Sequence, residues 1–161
     1  MIRKDRKILD FDEIVGIIDQ CDVCRIALNG SDGYPYILPL NFGYEIIDRV
    51  LTLYFHSAMK GRKHELIELD NRATFEMDCG HDLFSVESRG YCTMNYQSVV
   101  GHGRIEYICN EQDKFHALTV MTDRYHDGTH FNFNPAAMSR TSVYKLIVSD
   151  MIGKRKQSKR E

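Results

Sequence analysis

The sequence predicts a mainly β domain of the α+β kind, a small barrel of five or more antiparallel strands with a few flanking helices, and three observations carry that prediction. Arg72 to Cys79 alternates cleanly, with Phe75, Met77 and Cys79 on one face and Thr74, Glu76 and Asp78 on the other, which is the period of a half-buried strand. Val50 to His56 is crowded with branched and aromatic side chains, which suit a pleated surface. Cys92 to Ile108 reads as one long strand interrupted by Gly101 and Gly103. Glycine inside a strand marks a bend or a close backbone approach, so the sheet is expected to curve.

The other elements follow in chain order. Asp10 is placed to cap a short helix, with Glu13 three residues on, Leu9 set to staple against Ile14, and Ile14, Ile17 and Ile18 as its apolar stripe. Cys21 to Leu28 turns β-like, and the turn-forming run Asn29-Gly30-Ser31-Asp32-Gly33 leads into a second extended stretch, Tyr34 to Tyr44, giving a hairpin. Ile46 to Arg49 is the turn before the Val50 strand. Ser57 to Leu69 is expected to be helical, and Asn110 caps a further helix with Asp113 at its third position and Phe115, Leu118 and Met121 inward. Asp123 to Ser139 holds Gly128, Pro135, His126 and His130 without a clear period and reads as a loop or lid. A last strand is expected from Ser142 to Ile152, followed by a basic, flexible tail. The domain is thus expected to cover 1–153 and the tail 154–161.

The 161 residues suffice for one domain with a full core, and 43% hydrophobic with 27% charged residues is ordinary globular usage. A net charge of -2 speaks against a general polyanion binder, so no nucleic-acid partner is expected. No apolar run approaches the roughly 20 residues that cross a bilayer, and Met1-Ile2-Arg3-Lys4-Asp5 continues into charge. No membrane partner and a cytoplasmic location are therefore expected. Five scattered cysteines suggest reduced thiols. Cys21 and Cys24 form C-x-x-C within an expected strand, where residues three apart face opposite ways, so two separate thiols fit better than a metal or disulfide pair. The histidines show no metal-ligand spacing, no metal is expected, and no hydrolase elbow, P-loop or dinucleotide fingerprint is present.

The sharpest local feature is His56-Ser57-Ala58-Met59-Lys60-Gly61-Arg62-Lys63. Lys60, Arg62 and Lys63 fall in the first turns of the expected helix, the end whose partial positive charge disfavours cations. A bound phosphate reverses that cost, taking backbone donors, the Ser57 hydroxyl and the cationic side chains, with Gly61 allowing close approach. A solvated face in which Glu65 and Glu68 pair with these cations is the alternative.

Taken in order, Arg3-Lys4-Asp5-Arg6, Cys21 to Ala27, Pro35 to Tyr44, Leu53 to Ala58, Gly61-Arg62-Lys63 and Tyr96 to Gly103 resemble the pyridoxamine-phosphate-oxidase-like flavoproteins, in the branch that contains nitroimidazole-resistance (Nim-type) proteins. The resemblance implies a six-stranded split β-barrel that forms a homodimer with FMN at the interface. It implies that Ser57, Gly61, Arg62 and Lys63 hold the FMN phosphate and that Leu38, Pro39, Leu40, Asn41 and Phe42, with Phe55, line the flavin ring. Gln97, Ser98 and Val99 resemble the segment that reaches the phosphate and ribityl chain, from one subunit or the other. His56 matches a histidine beside the flavin that could donate a proton to a reduced substrate, or serve only structurally. No substrate-binding arginine motif of vitamin B6 oxidation appears in 142–161. The expectation is an FMN-dependent, nitroreductase-like oxidoreductase acting on a small molecule with a separate electron donor. The alternative is a flavin- or haem-binding carrier or sensor.

Overall fold

A computed structural model describes residues 3–126 and 131–158. One antiparallel sheet is built from β1 (Lys7–Ile8), β2 (Cys24–Leu28), β3 (Tyr36–Leu40), β4 (Gly43–Ile47), β5 (Val50–Ala58), β6 (Arg72–Val86), β7 (Tyr91–Tyr107) and β8 (Thr141–Lys156). Flanking it are α1 (Phe11–Ile18), α2 (Arg62–Leu69), α3 (Glu111–Tyr125) and the single turn α4 (Pro135–Met138). The strand order is β3-β2-β6-β7-β8-β5-β4, with β1 paired to β8. This is the mainly β, split-barrel-like architecture expected, but among the described residues it has eight strands rather than six and its path is open at β3 and β4.

The extra strands have local causes. Tyr34 to Tyr44 divides at Asn41-Phe42, because β3 pairs with β2 while β4 leaves that ladder to pair with β5. Pro39 is tolerated because β3 is an edge strand, bonded only to β2. The hairpin from β4 into β5 turns on Asp48 and Arg49, with φ of 51° and 61°. Strand β6 runs past Cys79 to Val86 across a register shift between Cys79 and Asp82, where Gly80 takes a φ of 66°.

Several expected boundaries move. Ser57 and Ala58 belong to β5, paired with Ser142 and Thr141, so the helix expected from Ser57 starts only at Arg62. The strand continues because β8 offers it a ladder partner. Strand β8 likewise absorbs the start of the expected tail, with Lys154, Arg155 and Lys156 opposite Ser98, Gln97 and Tyr96. Arg155 is fixed there by the Glu13 carboxylate and by donating to Gln97 Oε1 at 2.7 Å. Cys21 lies between α1 and β2 rather than in a strand, and all five cysteines are free. Asp10 caps α1 by accepting from the Glu13 N–H at 2.9 Å, but Leu9 stays 67% exposed, so the staple does not form. Asn110 caps α3, which buries Ala117, Leu118 and Met121 while Phe115 remains 50% exposed.

The curvature has the expected basis. A Cβ on Gly101 would stand 2.4 Å from the Phe75 ring, and one on Gly103 would stand 2.2 Å from the Ile147 carbonyl oxygen. The register of β7 on β8 shifts between His102 and Gly103, so the glycines sit where two backbones come together.

Candidate flavin site and its flanking cleft

The end of β5 carries the site. Along it, successive side chains alternate faces: Phe55 is fully buried and stacked on Tyr144 at 5.8 Å, His56 faces out, and Ser57 turns back toward the Tyr144 hydroxyl. The chain then passes through Met59 and Lys60 to Gly61, whose φ of 141° and ψ of 159° belong to a region essentially reserved for glycine. Gly61 caps α2 without any side-chain hydrogen bond, and of the first-turn N–H groups that of His64 donates to the Gly61 carbonyl at 3.0 Å.

The cations divide their roles. Lys63 folds back so that its Nζ lies 3.8 Å from where a Gly61 Cβ would stand. Arg62 instead pairs with Asp32 at 2.8 Å and lies over the Tyr36 ring at 5.5 Å. That hydrogen bond raises the Arg62 pKa and lowers that of Asp32. The pair ties the helix start to the turn before β3. The carboxylate bonded to Arg62 is that of Asp32 rather than of Glu65.

His64 fastens the loop from the other side. Its Nε2–H donates to the Ala58 carbonyl at 2.8 Å, which leaves Nδ1 of the neutral ring to accept from the Tyr107 hydroxyl at 2.7 Å. Beneath it the Tyr144 hydroxyl is buried beside the Ser57 side chain, and burial pushes its pKa to about 12. A helix start without a side-chain cap, a glycine-only turn and a folded-back ammonium together suit a phosphate.

The residues expected around a ring are partly core. Leu38 and Leu40 are half-buried against the main core, while Pro39 and Asn41 point outward. Phe42 is fully buried beneath the Arg124 guanidinium at 4.4 Å, and its N–H donates to Tyr125 Oη at 3.1 Å. Phe42, Phe55 and Val99 therefore offer only backbone atoms to any ligand.

Gln97 and Ser98 are not brought to this site within the chain. His56 pairs with Val143 on β8, whereas Gln97 pairs with Arg155 twelve positions later, roughly 40 Å of strand at about 3.3 Å per residue. Gln97 donates to Gln20 Oε1 at 3.3 Å and borders a separate cleft of about 410 Å³ with Gly80, Asn95 and Lys156. Another cleft, about 700 Å³, is lined by Thr74, His102, Arg104 and Ser149 and includes none of the expected site residues.

Beside His56 lies a cleft of about 510 Å³, and of its lining the sequence had singled out His56 and Asn41 as site residues. His130 lies outside the described residues. Asn41, His56, Thr122, Tyr125 and His126 supply its polar groups, and Leu118, Met121, Phe131, Phe133 and Met138 its apolar wall. The available signal was the second face of α3, in which Leu118, Met121, Thr122 and Tyr125 recur at helical spacing. His56 is reachable by solvent from this cleft, yet its apolar surroundings desolvate it and lower its pKa.

The model of the pyridoxamine 5'-phosphate oxidase family matches residues 10–155. The chain belongs to this family. Within it, a candidate 5-nitroimidazole antibiotic resistance protein from Bacteroides thetaiotaomicron is 33% identical, with 92% of this chain and 86% of that one covered and a TM-score of 0.81. The flavocytochrome Anf3 from Azotobacter vinelandii shares the fold at 20% identity, covering 94% and 70% with a TM-score of 0.78. A FAD- and haem-binding protein from Mycobacterium smegmatis does so at 17% identity, covering 97% and 76% with a TM-score of 0.80. No curated protein matches the family member described here. Among its described residues no helix is long and apolar enough to cross a membrane.

Proposed function

We propose that this family member is an FMN-dependent oxidoreductase of the nitroreductase type, acting as a homodimer in the cytoplasm. The observation that supports the reading is the start of α2, where a glycine-only turn, the folded-back Lys63 ammonium and a helix end without a side-chain cap lie together. Arg62 joins it by releasing Asp32, an exposed pair worth little in water and readily exchanged for a phosphate. The similarity to the nitroimidazole-resistance protein supports the substrate class, and five free thiols fit a reducing compartment.

Bound flavin supplies hydride and electron chemistry, while the protein supplies binding, orientation and proton placement. Pro39 and Asn41 border the ring, with the Asn41 amide offering either a donor or an acceptor to its polar edge. The desolvated His56 is neutral at pH 7 and holds or relays a proton at a ring nitrogen facing the cleft.

Titration of the protein with FMN, followed by quenching of flavin fluorescence, tests the reading. One FMN per chain should bind, and Lys63→Ala together with Arg62→Ala should weaken it more than tenfold, above about 1.4 kcal/mol. Anaerobic mixing with reduced nicotinamide and a nitroaromatic should then oxidise the nicotinamide. A colourless protein indifferent to FMN overturns the proposal, bound FMN without turnover makes the protein a carrier, and tighter binding of FAD than FMN overturns the choice of cofactor.

A further inference from the structure

We infer that Cys21 and Cys79 are a site of oxidative crosslinking, at which hydrogen peroxide joins the two thiols in a disulfide that locks the end of α1 to β6. The C-x-x-C motif of Cys21 and Cys24 suggests a different pairing, and the fold redirects it. Cys21 Sγ donates to the Ile17 carbonyl oxygen at 3.2 Å and Cys79 Sγ to the same oxygen at 3.8 Å, so thiols from distant parts of the chain meet over one atom. They also lie within hydrogen-bond reach of each other. The backbone agrees with this meeting. Strand β2 pairs with β6 through Arg25 opposite Glu76, and that register carried past Cys24 brings Asp22 level with Cys79, with Cys21 one position on. Cys24 lies on β2 itself, fully buried and opposite Leu40.

In the first step one sulfur attacks hydrogen peroxide, the O–O bond breaks, and a sulfenic acid and one water form. The second sulfur then attacks the first, the S–S bond forms as the S–O bond breaks, and a second water leaves. The two sulfurs give up two electrons, peroxide accepts them, and both thiol protons end in water. Cys21 is 2% and Cys79 8% exposed, which bars bulky oxidants and leaves a small uncharged peroxide as the reagent. Burial also raises the Cys21 pKa, so its thiolate is scarce at neutral pH and the link answers sustained rather than passing exposure. Cys79 is the last residue of β6 before the register shift, so a small movement toward Cys21 disturbs little of the ladder. The bond also has a specific place in the fold. Cys79 stands opposite Gln97, Gln97 donates to Gln20 beside Cys21, and Arg124 of α3 donates to the Cys21 carbonyl at 2.9 Å. The crosslink therefore ties α1, β6 and α3 together at the Gln97 end of the sheet.

The test holds the fully reduced chain in excess hydrogen peroxide, quenches with catalase, unfolds it in N-ethylmaleimide and sequences the proteolytic fragments by mass spectrometry. Alkylation at Cys21 and Cys79 should be lost together, a fragment pair joined through these two residues should appear, and dithiothreitol should restore both alkylated fragments. The linked protein should melt at a higher temperature than the reduced one, because the bond constrains the unfolded chain, and Cys79→Ala treated alike should show no rise. A link that includes Cys24, or Cys21 and Cys79 still alkylated in full once the exposed Cys92 has been oxidised, overturns the inference. A linked protein that melts no higher overturns the lock. No cofactor enters the measurement, so a failure of FMN binding leaves its result standing.

Discussion

At His56 the apolar surroundings of the cleft, not a charged neighbour, hold the imidazole below its ordinary pKa, because desolvation penalises the protonated ring. The unfolded chain then binds more protons than the folded one as pH falls below about 6.5. Stability from this residue is therefore fully present above that value and is lost as pH drops toward the lowered folded pKa. His56→Gln should show a shallower decline in Tm between pH 7.5 and 5.5 than the unaltered protein, and parallel curves would remove the burial argument. Gly61 offers a second test: any side chain at its φ of 141° is strained, so Gly61→Ala should cost about 1–3 kcal/mol in denaturant unfolding. Asp10 and Asn110 were legible as caps because a short oxygen-bearing side chain before an apolar stripe has few other uses. Phe115 was misread because helical spacing places it on the apolar side, while its partner Phe133 comes from a distant segment that no local pattern reveals.

Among the elements, β7 and α3 show what sequence can and cannot convey. The glycines of β7 announced a close approach, and Gly103→Ala should destabilise by about 1–3 kcal/mol because the Ile147 carbonyl cannot yield as a flexible side chain would. Calorimetry would check this, with an unchanged Tm contradicting the close packing. Helix α3 was legible as a helix but not as a clamp. Arg124, near its C-terminal end, donates to the carbonyls of Ile18, Asp19 and Cys21 at 2.7, 3.1 and 2.9 Å while covering Phe42 and Tyr44. It thereby closes the end of α1 and fixes the Asn41-Phe42 connector that borders the cleft. Arg124→Ala strips three carbonyls of a charged donor and should cost about 3 kcal/mol, with Arg124→Lys recovering only part because an ammonium lacks the planar guanidinium that covers Phe42 and Tyr44. Such a contact joins residues more than a hundred positions apart, so nothing in a local window encodes it.

For the whole molecule, the open path of the sheet and the distance between the two expected halves of the flavin site bear on one question. Arg62 and Lys63 lie at the start of α2, whereas Gln97 borders another cleft and is engaged by Arg155 and Gln20. The resemblance leaves open which subunit supplies Gln97 to a site, and along β8 the two parts stand twelve positions apart. If the site is completed across a homodimer, each flavin takes its α2 start from one protomer and Gln97 from the other. Co-expression of an Arg62→Ala/Lys63→Ala chain with a Gln97→Ala chain separates the arrangements. In a heterodimer with shared sites, one site receives both defects and the other receives none, so up to one FMN per dimer should bind with native affinity although neither variant homodimer binds well. With sites contained in single chains, every site carries one defect and no native-affinity FMN appears. Purification on two different affinity tags, followed by FMN titration of the doubly tagged fraction, reads the difference as a stoichiometry, and the absence of any native-affinity site would assign the whole contact to one chain.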